Sequence, residues 1–233
     1  MDYTYVPPPT PTWARLRALY RQNPRHSVLR ALQYEAVSNL TLTGDILDFG
    51  GGQKAKYLHL LADAASVSSV NIEEKIAPTH LIEPGEPVPF EDDRFDCVVC
   101  FNTLEHIYDA QATLAELYRV LRPGGRLVIT VPFIFRIHGH PDDYFRATPS
   151  WWRQTCAGLG FSTMRLHPLI WGCYTSAGLI FGSRGLFPRL RSRFDHFMDW
   201  LYACLAFPGG IYDGRRGERV CSVASGWMME VTK

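Results

Sequence analysis

The residues best able to do chemistry stand in two places. Gly50 and Gly52, with Ala55 three residues further on, fit the pattern G-x-G-x-x-G/A after a short apolar run, Ile46-Leu47-Asp48-Phe49. Glycines there let the backbone turn tightly and approach a nucleoside with no Cβ in the way, and a following helix would offer free N–H groups. Asp48, two residues before Gly50, decides which nucleoside is expected. A carboxylate at the strand end repels a pyrophosphate and attracts a ligand that carries positive charge, such as a sulfonium. Glu73, at the end of the next apolar run, suits a carboxylate bridging ribose hydroxyls, with Glu74 beside it as the alternative. The second place is His138 and His140, followed by Asp142 and Asp143. His138 partnered by Asp143 could act as a general base or a substrate contact. Equally, His138, Asp143 and Arg146 could tie down the loop before Thr148. A metal site built on His138-x-His140 finds no cysteine or further histidine nearby in sequence, so no metal is expected.

These residues need elements to position them. Trp13, Leu16, Leu19 and Tyr20 share one helical face, and Val28, Leu32 and Val37 suggest a second helix, so residues 1–43 read as a helical extension. Gly44 opens a domain over 44–233. Ile46-Leu47-Asp48-Phe49 is a strand, residues 54–62 read as a helix, and residues 67–72 and 97–101 are further strands. Asp109 is an N-cap for residues 110–121, whose Leu114, Leu117 and Leu121 lie on one face. Arg122-Pro123-Gly124-Gly125 stops that helix before a strand over residues 126–131. Thr148-Pro149 starts another helix, closing near Gly160, and residues 226–232 form a last strand. Strands alternating with helices through short connections predict an α/β fold, a doubly wound, mostly parallel sheet of seven strands, Rossmann-like. Residues 166–215 read as a helical insertion, lid or interface region before the last strand.

Composition narrows the partners. A net charge of +1 over 233 residues gives no electrostatic footprint for nucleic acid. The first residues show no charged-then-apolar signal, and six cysteines form no disulfide framework. Cys97-x-x-Cys100 falls in a buried strand, where residues three apart face opposite ways, so a cytoplasmic protein is expected. Residues 166–183 carry no Asp, Glu, Lys or Arg, but His167, Pro168, Gly172 and Gly178 interrupt them, so no membrane span is expected. Phe194, Phe197, Met198, Leu201, Tyr202 and Leu205 recur at helical spacing behind Arg184, Arg189, Arg191 and Arg193. That face could pack on the domain, on a second copy, or on an anionic membrane surface.

Four blocks resemble one family in its own order. Ile46-Leu47-Asp48-Phe49-Gly50-Gly51-Gly52 resembles the first motif of class I S-adenosylmethionine-dependent methyltransferases, of the "type 11" subset. Val88-Pro89-Phe90-Glu91-Asp92-Asp93-Arg94-Phe95-Asp96 resembles their "LPF-x-D-x-x-FD" block. Asn102-Thr103-Leu104-Glu105-His106-Ile107 resembles the "LEH" turn, and Arg119-Val120-Leu121-Arg122-Pro123-Gly124-Gly125 the "RVLKPGG" block. The chain departs at Gln53-Lys54, where small residues are usual. The resemblance implies that Asp48, Gly50, Gly51 and Gly52 cradle the methionine part of S-adenosylmethionine and that Glu73 takes the ribose. It implies Glu83 for the acid before "LPF", with Glu86 as the alternative, and Asn102 with Thr103 lining the pocket at the end of the fourth strand. Beyond the fifth strand, His138, Asp143, Tyr144, Arg146 and Thr148 match "PF…H…P-x-DYWR-x-T", a subset implied to act on sugars or glycan precursors.

The expectation is therefore a methyltransferase that uses S-adenosylmethionine, releases S-adenosylhomocysteine and methylates an oxygen or nitrogen of a small-molecule or glycan-like acceptor. His138 and Asp143 are its catalytic candidates; His140, Tyr144, Arg146 and Trp151 are its substrate contacts. A NAD(P)-dependent oxidoreductase rests on the glycine turn alone and is opposed by Asp48. A non-catalytic cofactor-binding protein is the third reading, and a homodimer is compatible with all three.

Overall fold

A computed structural model describes residues 1–22, 26–139, 142–181 and 187–233. In chain order the elements are β1 (Asp2–Tyr5), α1 (Trp13–Gln22), α2 (Val28–Ser38), β2 (Gly44–Phe49), β3 (Ala64–Asn71), β4 (His80–Leu81), β5 (Phe95–Phe101), α3 (Ala110–Val120), β6 (Leu121–Pro132), α4 (Pro149–Leu159), β7 (Thr163–Leu169), α5 (Cys173–Phe181), α6 (Pro188–Ala206), α7 (Gly214–Cys221) and β8 (Gly226–Thr232). The strands form one sheet in the order β1-β7-β8-β6-β5-β2-β3-β4. Only β8 runs antiparallel to its neighbours, β6 and β7. The doubly wound, mostly parallel, Rossmann-like class holds. The strand count is corrected from seven to eight, because Asp2–Tyr5 joins the edge of the sheet in parallel with β7. Too short and polar to signal from sequence, β1 forms because β7 offers an open row of backbone partners. Residues 166–169, expected at the head of an insertion, belong to β7.

Both faces of the sheet are covered. On one, Leu47, Val98, Cys100 and Ile129 meet Leu114 and Leu117 of α3 and Trp152 and Cys156 of α4. On the other, Ile46, Cys97, Val99 and Val128 meet Leu29 and Leu32 of α2 and Leu19 of α1. Cys97 and Cys100 therefore enter different cores, and burial pushes the Cys97 thiol up to about 12. Local signals set the helix ends. The Asp109 carboxylate accepts the Ala112 amide at 2.9 Å, and Gly160 closes α4 at φ +98°. Asp199 of α6 accepts the Tyr174 and Thr175 amides at 3.0 and 2.8 Å and so caps α5 from a distant helix.

The helix expected over residues 54–62 is absent. Turns lead instead to a 3-10 segment, Leu58–Leu61. The Gln53 and Lys54 amides donate to the Ala77 and Ile76 carbonyls at 3.0 and 3.1 Å, so the backbone is held by the loop after β3 before a helix can start.

Candidate active site

The glycine turn is closely packed, with Gly51 and Gly52 buried and Gly50 half-buried. Asp48 shares the α2 face of the sheet with Ile46 and is wholly buried, rather than aimed into the open crevice. The Tyr57 hydroxyl donates to Asp48 Oδ1 at 2.8 Å, while Oδ2 is buried with no hydrogen bond of normal geometry. Burial pushes the carboxyl up to about 7, against the opposing pull of Tyr57 and the Gly52 amide. Gly50 adopts φ +87°, and a Cβ there would stand 2.1 Å from Thr103 Oγ1. At Gly51 a Cβ would stand 1.8 Å from Asp48 Oδ2. Glycine is required at both positions by contact, independently of any ligand.

Asn71, at the end of β3, escaped the sequence reading. Its Nδ2 donates to the Gly50 and Gly51 carbonyls at 2.8 and 3.2 Å, and its Oδ1 accepts the Glu73 amide at 3.0 Å. One side chain thus ties the glycine turn to the acid expected at the ribose. Glu73 also pairs with Lys75 at 2.9 Å. Glu83 is exposed, and its amide donates to Glu86 Oε2 at 2.8 Å, so the two candidate acids occupy one turn. Asn102 sits at φ +51° and forms a reciprocal amide pair with Gln33 of α2, at 2.5 and 3.1 Å. The side chain expected to line the pocket is thereby held by α2. The signal for this was Gln33 itself, a polar residue among the buried positions of α2.

A second cluster adjoins the first through the turn Leu104–His106, which follows directly on Thr103. His138 donates its amide to Asp143 Oδ2 at 2.9 Å, and its Nδ1 lies 3.3 Å from the same oxygen. Arg146 grips both Asp143 oxygens. Burial would raise the Asp143 carboxyl, but Arg146 and the His138 amide hold it below its ordinary value. Because Arg146 neutralises Asp143, burial prevails at His138 and lowers its affinity for protons, and the ring is neutral near pH 7. The base geometry and the loop tie are therefore the same contacts. The His138 ring packs edge-on against His106 at 5.1 Å, and His106 Nδ1 lies 2.5 Å from the Asp142 carbonyl.

Glu105 stands in the turn between Leu104 and His106. It is 1% exposed, neither carboxylate oxygen has a hydrogen-bond partner among the described residues, and burial pushes the group up to about 7. One donor atom each from Glu105, His106 and His138 falls within 4.8 Å of the others, a set a divalent ion could use. Of the expected substrate contacts, Tyr144 is exposed, with its hydroxyl donating to Asp142 Oδ2 at 3.2 Å. Arg146 is engaged with Asp143. Trp151 is half-buried and packs against Phe145 and Trp152. His140 lies outside the described residues.

The arrangement excludes a pyrophosphate cradle. No helix begins after the glycine turn, two of its amides are taken by the loop after β3, and a carboxylate lies beneath it. It is compatible with the expected cationic nucleoside: Asp48 lies beneath the turn, and Glu73, the acid expected at the ribose, is tied to the turn through Asn71. Fold and turn together are those of a Rossmann-like sheet, the architecture expected of an S-adenosylmethionine-dependent methyltransferase.

Residues 47–129 match the family model described as a methyltransferase domain. Among curated relatives, the ubiquinone/menaquinone biosynthesis C-methyltransferase UbiE of Geotalea daltonii is 25% identical over 167 residues, covering 59% of this chain and 67% of that one. The UbiE of a Marinomonas species is 31% identical over 102 residues, covering 36% of this chain and 41% of that one. Among solved structures, an S-adenosylmethionine-dependent methyltransferase of Thermotoga maritima superposes with a TM-score of 0.55 at 15% identity, covering 95% of this chain and 100% of that one. Phosphoethanolamine N-methyltransferase 2 of Haemonchus contortus, in complex with S-adenosyl-L-methionine, gives 0.52 at 17%, covering 86% and 51%. At these identities the structural likeness carries the fold alone. No described helix is long and apolar enough to cross a membrane.

Proposed function

We propose that the chain methylates an oxygen or nitrogen of a small-molecule or glycan-like acceptor, with His138 as the general base. S-adenosylmethionine, when bound, supplies an activated methyl carbon, so the protein's own task is to orient the acceptor and remove its proton. The observation that carries the reading is the His138–Asp143–Arg146 arrangement beside the glycine turn. His138 Nδ1 lies 3.3 Å from Asp143 Oδ2 and 3.4 Å from Arg146 Nη2, and the base role takes the tautomer in which Nδ1 donates to Asp143. This leaves Nε2 of a neutral ring to take the acceptor proton. Glu105, buried next to His106 and His138, favours the imidazolium once the proton has arrived. The UbiE relatives act at carbon by name. The same base would serve a carbon acid, so assay of the methylated product distinguishes the three nucleophiles. Cytoplasmic location and a homodimer belong to this reading as expectations.

His138→Gln tests it. The variant should bind S-adenosylmethionine as the parent does and lose about 10²-fold or more in turnover. Undiminished turnover in a folded, cofactor-binding variant would return His138, Asp143 and Arg146 to a loop-tying role. Turnover abolished by a chelator and restored by a divalent metal would replace the base with a metal held by Glu105, His106 and His138.

A further inference from the structure

A cleft of about 1530 Å³ opens between α1, the start of α2, the residues after β6, α5 and the first turns of α6. Its charge is one-sided. Arg17, Arg136, Arg189, Arg191 and Arg193 line it, and Asp195 is the one acid among the described lining residues. Asp195 offsets only Arg191, at 3.9 Å. The other four arginines have no carboxylate partner among the described residues, in a chain whose net charge is +1. Four unpaired guanidinium groups around one concavity repel one another, so the cleft carries a positive potential that an anion would relieve.

Two further features have the same sign. Ser27 and Val28 at the start of α2, and Pro188 and Arg189 at the start of α6, face this one cleft. Two helix N-termini therefore add their partial positive charge to it, and α6 has no side-chain cap on its first amides. The guanidinium fork matches phosphate geometry better than that of a simple halide. The cleft borders the reactive cluster, whose residues do not line it. Phe135, on its wall, packs edge-on against the His138 ring at 5.3 Å, and Arg136 follows immediately. Its volume exceeds the roughly 300–1,000 Å³ of ordinary small-ligand sites.

We infer that this cleft is the acceptor site and that the acceptor bears a phosphate or pyrophosphate group, which the arginines hold while its nucleophile lies at His138. The inference rests on the methyltransferase reading and names the substrate class for the same site. The phosphate has two sources, a soluble phosphorylated compound or a lipid headgroup. The second is served by the exposed row Leu190, Phe194, Phe197, Leu201 and Leu205 along α6, which begins beside Arg189 and Arg191.

The test uses the full chain with Arg17→Ala/Arg193→Ala as the double variant, both exposed and outside the cofactor turn. Titration with inorganic pyrophosphate at low salt should show binding that weakens at least tenfold in the variant, with affinity for S-adenosylmethionine unchanged. Flotation with phosphatidylglycerol vesicles, against phosphatidylcholine vesicles as control, reads the lipid source. Pyrophosphate binding without flotation supports a soluble acceptor; flotation confined to anionic vesicles and lost in the variant supports a lipid-borne one. Absence of both, or binding indifferent to the double variant or to vesicle charge, overturns the inference. Failure of the parent to bind S-adenosylmethionine would instead remove the methyltransferase reading, whatever pyrophosphate does.

Discussion

Asp48→Asn should make the ligand-free protein more stable at neutral pH while weakening its hold on the cofactor. The Asp48 carboxyl is wholly buried, and burial moves it from an ordinary 3.8 to about 7. A carboxyl raised on folding binds its proton more tightly in the native state. Its contribution is fully present below 3.8 and is lost as pH climbs from about 4 to about 7. At 1.36 kcal/mol per tenfold change, that loss is about 4 kcal/mol above pH 7. Asparagine keeps an oxygen for the Tyr57 hydroxyl and carries no charge. It places an NH2 group where Oδ2 has no hydrogen bond, which costs about 1–2 kcal/mol. The net gain is about 2 kcal/mol at pH 8, or a rise in Tm of about 4–8 °C for a chain of this size. At pH 4, where the parent Asp48 is protonated, only the NH2 cost remains and the variant should be about 1 kcal/mol less stable than the parent. Thermal unfolding of both proteins at pH 4, 6 and 8, without cofactor, reads this directly. Calorimetry at pH 8 should show affinity for S-adenosylmethionine at least tenfold weaker. A Tm difference of one size at every pH would refute the buried-charge reasoning, and unchanged cofactor affinity would refute the role of the carboxylate beneath the turn.

Gly51→Ala should lose cofactor binding by an order of magnitude or more, since its Cβ would stand 1.8 Å from Asp48 Oδ2. Gly158→Ala, with nothing within 4 Å, is the matched control and should leave binding intact in the same titration. Trp152→Ala removes a side chain 1% exposed between α4 and the sheet; it should cost about 3–5 kcal/mol, measurable by denaturant unfolding. A loss below about 1 kcal/mol would place the core elsewhere.

Much of this protein was legible along the chain because the determinants are local. The glycines follow an apolar strand, Asp109 caps α3, Pro149 and Gly160 bracket α4, and Gly226–Thr232 reads as a strand by its own pattern. Alternation along β5 was enough to separate Cys97 from Cys100. Where a tertiary partner outbid local preference, the reading failed. Residues 54–62 have a helical pattern, but the carbonyls of Ile76 and Ala77 take the Gln53 and Lys54 amides, and the helix does not form. Asp2–Tyr5 has no strand signal, and the edge of β7 makes it a strand.

The candidate site divides in the same way. The sequence by itself pointed to the cofactor class, through an acid two residues before the glycine turn and, more specifically, through the resemblance of four blocks in family order across residues 46–131. Only the tertiary structure decided what surrounds them. Gln33 pairs with Asn102 across 69 residues, and His138 meets His106 from another strand end. Glu105 loses all its solvent, and arginines from α1, α6 and the residues after β6 face one cleft. Burial and the convergence of distant charges arise only when the sheet brings its strand ends together, and no pattern along the chain encodes them.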